Sequence, residues 1–182
     1  MMPIGPLMIE HRLIERMIAL MEEALNRLEK EGGIDTRFIE RAAQFIKSYA
    51  DRCHHGKEED ILFRELRKKP VSKEHERIMN ELVEEHRRGR TTTGRLVDAN
   101  AAYRKGQEEE LATISDCLRD LVDFYPKHIK KEDKGFFLPV MDYFTQEEKD
   151  AMLKEGEAFD SRLLHEEYES LISELEGRKG NA

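Results

Sequence analysis

The sequence predicts an all-α protein, an antiparallel up-down-up-down four-helix bundle with an additional C-terminal helical segment. Three observations carry this expectation. Apolar residues recur at alternating spacings of three and four along four long stretches. Gly, Pro and capping residues fall mostly between those stretches. No run shows the two-residue alternation of a strand. The length of 182 residues suits one compact unit, read as a bundle over residues 4–140 and a helical extension packed on it over residues 141–182. Long helices with short connections favour antiparallel neighbours.

Each element has a local reason. Gly5-Pro6 opens the first helix, where the missing Pro N–H costs nothing. Its seam runs Leu7, His11, Ile14, Ile18, Met21, Leu25 and Leu28, and Gly32-Gly33 closes it. Asp35 caps the second helix, expected to run to about Lys69 before Pro70. Its core face carries Ile39, Ala42, Ala43, Ile46 and Ala50, then His54, Glu58 and Leu62. Ser72 caps the third, which should reach about Lys105 and end at Gly106, with Met79, Leu82, His86, Thr93, Leu96 and Asn100 on one face. The fourth should start near Gln107 and run to about Asp133, before Gly135 and Pro139. Its seam is Leu111, Ile114, Leu118, Leu121, Tyr125, His128 and Glu132. Pro126 removes one backbone bond and should kink or bulge that helix. Thr145 with Glu148 is a capping box for the C-terminal segment, one helix or two according to whether Gly156 breaks it.

Composition narrows the function classes. Apolar and charged residues each make up 38% of the chain, and there is no Trp. That describes a solvated helical surface and excludes collagen-like, disulfide-scaffold and membrane-spanning proteins. The start, MMPIGPLMIEHR, lacks the pattern of a secretory signal. The net charge is −8 and the basic residues are interleaved with Glu and Asp, which argues against nucleic acid as a partner. Cys53 and Cys117 form no C-x-x-C, and Cys117 lies about three turns from His128, so no disulfide is expected. A cytoplasmic location follows as the expectation.

The core seams contain residues that do not belong in an apolar interior. His11, His54, Glu58, His86, His128 and Glu132 all take core positions. A buried charge costs several kcal/mol unless it is paired or bound to a metal. Register brings these residues together. The midpoint of 11 and 54 falls between Gly32 and Gly33, the midpoint of the 54–58 pair and 86 falls in the Pro70–Ser72 turn, and the midpoint of 86 and 128 falls beside Gly106. In an antiparallel bundle these residues therefore share one layer, with Glu132 a turn further along. His54/Glu58 and His128/Glu132 are each four apart, so each pair shares a helix face. His55 can reach the layer from the flank. Five imidazoles and two carboxylates suit iron, zinc or manganese, and exceed what one tetrahedral zinc uses. Two ions bridged by the glutamates account for the count.

These stretches, E-H-R-L-I-E at 10–15, H-H-G-K-E-E-D-I-L-F at 54–63, E-E-H-R-R-G-R at 84–90 and H-I-K-K-E-D-K-G-F-F at 128–137, resemble the hemerythrin family in its HHE cation-binding branch. The resemblance covers about residues 4–140 and implies a non-haem di-iron centre that binds dioxygen, or nitric oxide or peroxide in some relatives. It implies His11 and His54 on one iron, His86 and His128 on the other, and Glu58 and Glu132 as bridges. Two features depart from the oxygen carriers. The third helix has Leu82 and Arg90 where a second histidine would stand four residues from His86, leaving His55 as the candidate fifth imidazole. The fourth helix has His-x-x-x-Glu in place of a longer His-to-Asp spacing.

Other polar residues read more plainly. Glu10 and Glu85 are expected to face solvent, Glu59 is an alternative to Glu58, His75 belongs to a turn, His165 is solvated, and Cys53 packs. Met8, Met17, Met21, Met79, Phe63 and Phe136 are core residues that could also wall a gas pocket. Three functions remain open on the sequence alone. They are a di-iron protein that binds, senses or scavenges dioxygen or nitric oxide; a redox enzyme acting on peroxide, ferrous iron or nitric oxide; and a metal-stabilised interaction module, with a homodimer as a candidate assembly. No Glu-x-x-His occurs among the seven histidines, which disfavours a ferritin-type centre.

Overall fold

The computed structural model describes the backbone of residues 2–179 and the side chains of residues 2–163. The side chains of Leu164, His165, Tyr168, Leu171, Ile172 and Leu175, on which part of the C-terminal reading rests, lie outside the described residues. The described backbone is helical with no strand. No described helix is long and apolar enough to cross a membrane.

Helix α1 spans Ile4–Glu31 and ends at Gly32, whose φ of 73° only glycine adopts without cost. It starts ahead of Gly5-Pro6, so Pro6 lies inside the first turn. Helix α2 runs over residues 36–66 behind Asp35, whose carboxylate accepts from the Arg37 and Phe38 amides. It is not α-helical throughout. Ile46–His55 and Glu58–Phe63 are wide, π-helical turns. Helix α3 is Lys73–Tyr103, and Ser72 Oγ accepts from the His75 amide. Helix α4 runs over residues 110–140. It is α-helical at Glu110–Lys131 with Pro126 inside, wide at Glu132–Phe136 and α-helical again at Phe137–Val140. The expected stop before Gly135 does not occur. A helical Gly costs only about 1 kcal/mol, which burial of Phe136, Phe137 and Val140 outweighs. Helix α5, Gln146–Lys179, passes through Gly156 unbroken. Its capping box forms as expected. The Glu148 amide donates to Thr145 Oγ1 at 3.3 Å and the Thr145 amide donates to Glu148 Oε2 at 2.9 Å.

Helix α4 packs along both α1 and α3, α2 packs on α1 and α3, and α5 touches α2. The apolar interior forms two separate clusters. One includes Ile14, Ile18, Met21, Ile39, Ile46, Leu96, Ile114 and Leu118. The other includes Ile4, Leu7, Phe63, Met79, Leu82, Phe136, Phe137 and Met152. On α1, α2 and α3 the seam histidines and glutamates fall in sequence between the two clusters, and on α4 His128 and Glu132 flank Ile129, the last residue of the first cluster, ahead of Phe136. His75 fastens a turn, its Nδ1 2.9 Å from the Tyr143 hydroxyl, which also accepts from the Ser72 amide. Cys53 and Cys117 are both free thiols.

Candidate metal centre

The seven residues singled out in the sequence are buried together. His11, His54, His55, Glu58, His86, His128 and Glu132 are each no more than 2% exposed. They form two donor groups, each with one donor atom per residue lying within 4.8 Å of the others. One group is His11, His54, Glu58 and Glu132. The other is His55, His86 and His128.

The two carboxylates face both groups. Glu58 Oε1 lies 3.3 Å from His54 Nε2, and its Oε2 lies 3.2 Å from His86 Nε2. Glu132 Oε2 lies 3.2 Å from His11 Nε2, and its Oε1 lies 3.2 Å from His128 Nε2 and 3.7 Å from His86 Nε2. Glu59 is not an alternative to Glu58 at the centre, since its Oε1 sits 2.8 Å from His86 Nδ1 on the outside.

The wide turns explain how α2 supplies two imidazoles in succession. An i→i+5 turn holds more residues than an α-helical one, so successive side chains diverge by a smaller angle. Both His54 and His55 can then face inward. The other two wide turns of the site start at its carboxylates, Glu58 and Glu132.

An outer ring of carboxylates fixes the imidazoles. Each Nδ1 can donate to an acid on the next helix round. His54 Nδ1 is 2.8 Å from Glu10, His86 Nδ1 2.8 Å from Glu59, His128 Nδ1 2.8 Å from Glu85, and His11 Nδ1 2.7 Å from Asp133. Each acid is held in turn by a cation on the helix of the histidine it supports: Lys57 for Glu10, Arg90 for Glu59, Lys131 for Glu85 and Arg12 for Asp133. His55 has a looser support, Asp51 at 3.4 Å on its own helix. Aromatic rings stack on the imidazoles too: Phe137 on His11, Phe63 on His86, Phe124 on His128 and Tyr125 on His55. Such carboxylate partners select the tautomer that leaves Nε2 as the free donor.

Glu10 and Glu85 were expected to face solvent. Their side chains are only 12% and 28% exposed, because each is turned toward a neighbouring helix's histidine. The sequence holds a trace of the ring. Every ligand stretch pairs a core residue with an adjacent acid, as Glu10-His11, Glu58-Glu59, Glu85-His86 and Glu132-Asp133. One residue round a helix is the flank that meets the next helix.

What the inner layer lacks tests whether metal fits. Ten buried side-chain atoms have no hydrogen-bond partner among the described residues. Apart from Asn100 Oδ1, they are the Nε2 atoms of the five histidines and all four oxygens of Glu58 and Glu132. Each unpartnered buried polar atom costs about 1–3 kcal/mol. A shell made only of lone pairs is satisfied by cations.

The electrostatics agree. Burial acts to lower the pKa of His54, but the Glu58 charge and the Glu10 hydrogen bond overcome it and raise the imidazole to about 10. Burial likewise opposes, and Glu132, Glu58 and Glu59 overcome, a rise of His86 to about 11. His128 is raised by Glu132 against its burial. Glu58 and Glu132 are held low against burial by these imidazoles. His55 is pushed down, by burial and then by the His86 charge. Without metal, the centre neutralises its two carboxylates with protons on imidazoles.

A helical domain whose buried core is an all-donor shell of imidazoles and carboxylates defines a class, the cation-binding helical proteins. Within it, residues 2–140 match the model of the hemerythrin HHE cation binding domain, and the chain belongs to that family. Similar curated proteins are Rv1995 of Mycobacterium tuberculosis and Mb2018 of Mycobacterium bovis, both described as uncharacterized. Each is 23% identical over 139 residues, covering 76% of this chain and 53% of the relative. The chain thus spans about half the length of the curated relatives it matches. No solved structure matches it significantly.

Proposed function

We propose that this chain is a non-haem di-iron protein that binds, senses or scavenges dioxygen or nitric oxide. In this reading residues 4–140 form an antiparallel four-helix bundle that carries the centre, and residues 141–182 form a helical extension packed on it. The observation that carries the reading is the pair of donor groups with a carboxylate oxygen directed to each. Glu58 and Glu132 would bridge two ions. His11 and His54 would complete one side, and His55, His86 and His128 the other.

Bound iron would supply a redox-active Lewis acid able to take a small diatomic molecule as a further ligand. The protein's part is selection and protection. The two-imidazole side offers four donor atoms and the three-imidazole side five, so the two-imidazole side has room for an external ligand. Phe137 stacks on His11 at 5.7 Å between ring centres, which makes that wall apolar. The ring of Glu10, Glu59, Glu85 and Asp133 keeps each Nε2 aimed inward through any change of charge at the centre.

The test is metal analysis of anaerobically purified protein, then an absorption spectrum on adding dioxygen or nitric oxide. Two irons per chain and a new visible band are expected. Zinc alone, with no spectral response after iron loading, would overturn the reading. Steady peroxide consumption by the iron form would move it to a redox enzyme.

A further inference from the structure

The family match ends at residue 140, yet one of the four acid supports continues beyond it. Glu10 supports His54 and accepts from Lys57 Nζ. Lys57 Nζ also donates to Asp160, at 2.8 Å from Oδ1 and 2.9 Å from Oδ2. Asp160 belongs to α5. The other three cations also meet a second carboxylate, Arg12 at Glu15, Arg90 at Asp51 and Lys131 at Glu81, but all of these lie within residues 4–140 and the cations reach solvent, with side chains 55%, 37% and 31% exposed. Lys57 is 5% exposed. A buried ammonium needs a full set of acceptors, and α5 supplies the second carboxylate.

Two further contacts fall on the same stretch of α2. Cys53 Sγ donates to Asp160 Oδ1 at 3.3 Å. A Cβ placed on Gly56 would lie 2.8 Å from Phe159 Cζ, so only glycine allows the Phe159 ring this close. Cys53, Gly56 and Lys57 surround His54 and Glu58 in sequence, where the two wide turns of α2 meet.

We propose that α5 is a working part of the metal centre. Asp160, acting through Lys57 and Glu10, is a positioning residue for His54, and docking of α5 is linked to occupancy of the His11/His54 side. The proposal rests on the two-ion reading of the centre. Lys57 without Asp160 is an under-satisfied buried cation. It relieves this by turning toward solvent, and Glu10 is drawn from His54 with it. Linkage is reciprocal, so whatever factor docked α5 adds to metal affinity, metal adds to the docking of α5. The extension then reports the state of the centre at the protein surface.

The experiment uses the full chain with zinc, which binds without redox change. Stoichiometry and affinity come from competition with a chromophoric chelator. Backbone hydrogen exchange over residues 146–163 is followed with and without the metal. Wild-type protein should bind two ions, and exchange in that segment should slow roughly 10-fold on loading. Asp160→Asn should still bind two ions, with one weakened roughly 3- to 10-fold, and should lose the metal-dependent slowing. Glu155→Gln, on the same helix as Asp160, cuts the ion pair with Arg64 of α2 but lies outside the relay. It should raise exchange in both states and keep the difference between them. Lys57→Met, checked for helix content by circular dichroism, should reproduce the Asp160→Asn affinity loss. Two ions bound in wild type with no change in α5 exchange would overturn the linkage and leave the centre intact. So would an Asp160→Asn protein with unaltered affinity and protection. Failure of wild type to bind two ions would instead overturn the two-ion reading, and the linkage with it.

Discussion

The two halves of the metal centre are built from the same side-chain types and differ in how tightly they are held. On the two-imidazole side, His11 and His54 are fixed by Asp133 and Glu10 at 2.7 and 2.8 Å. On the three-imidazole side, His86 and His128 are fixed as firmly, but His55 meets Asp51 only at 3.4 Å. His55 also borders a cavity of about 220 Å³ lined by Gly89, Thr93, Gly94 and Tyr125. One side is short of donors and rigid. The other has a full set of donors with one loosely supported member. In the proposed two-ion centre, capacity for an external ligand and freedom of the protein's own ligands would be separated. The shared carboxylates are the only members common to both sides.

Removing that common part should have the largest effect. Glu58→Ala or Glu132→Ala takes one donor from each side at once, and also removes the negative charge that offsets the ions. Metal content should fall from two ions per chain to one or none. Affinity should drop by more than the roughly 10- to 100-fold seen for loss of outer supports. Retention of two tightly bound ions in Glu132→Ala, measured by elemental analysis after dialysis, would show that the halves do not share their carboxylates.

The halves were unequally legible in the sequence. His11, His54, Glu58, His86, His128 and Glu132 stood out because a polar residue on an apolar seam violates the 3.6-residue pattern, and glycine and proline turns fixed their relative heights. His55 did not follow from that pattern. It enters the core because Ile46–His55 is a wide turn, and i→i+5 bonding has no residue signature of its own. The inward turn of Glu10 and Glu85 has no sequence signature for a different reason. On an isolated helix their positions face water, and only the neighbouring helix makes them interior. Gly135 errs in the opposite direction, as an expected stop that α4 passes, and Gly156, open on the sequence alone, does not break α5. Glycine is a weak helix breaker, and burial of Phe137 on one side and Met152 on the other keeps the chain helical. Residues that speak through their own helix were readable, while those that speak through a second helix were not.

The comparison sharpens with one substitution on each side. His54→Ala leaves the two-imidazole side with His11 and two carboxylate oxygens, too few to hold an ion tightly, so one ion per chain should remain. His55→Ala leaves the other side with His86, His128 and the same two carboxylates. It should keep two ions, with one bound roughly 10-fold more weakly. Titration against a chelator distinguishes the outcomes. Loss of an ion in His55→Ala with retention of both in His54→Ala would reverse the assignment of the rigid and loose sides.

Proton release gives the smallest and most graded effect, and its sign follows from the metal-free state. His54 is raised to about 10 and His86 to about 11, with His128 also raised, against an ordinary value of 6.5. A raised imidazole stabilises the fold fully below its unfolded value and loses that contribution as pH climbs through its folded value. Metal-free protein should therefore lose stability from about pH 6.5 toward pH 10, as Glu58 and Glu132 lose their imidazolium partners. Bound cations replace those protons, so the loaded protein should not share the loss. The gap in melting temperature between zinc-loaded and chelator-treated protein should widen from pH 6.5 to pH 9. Each proton displaced should also raise apparent metal affinity about tenfold per pH unit. His55 contributes with the opposite sign, because burial holds it neutral. It donates no proton on binding, and its protonation in acid disfavours the folded state. Calorimetric titration in buffers of different ionisation enthalpy counts the protons, and His55→Ala should leave that count unchanged while His54→Ala lowers it. An equal fall in both would mean that His55 carries a proton before metal binds, and the loosely held side would then be as charged as the rigid one.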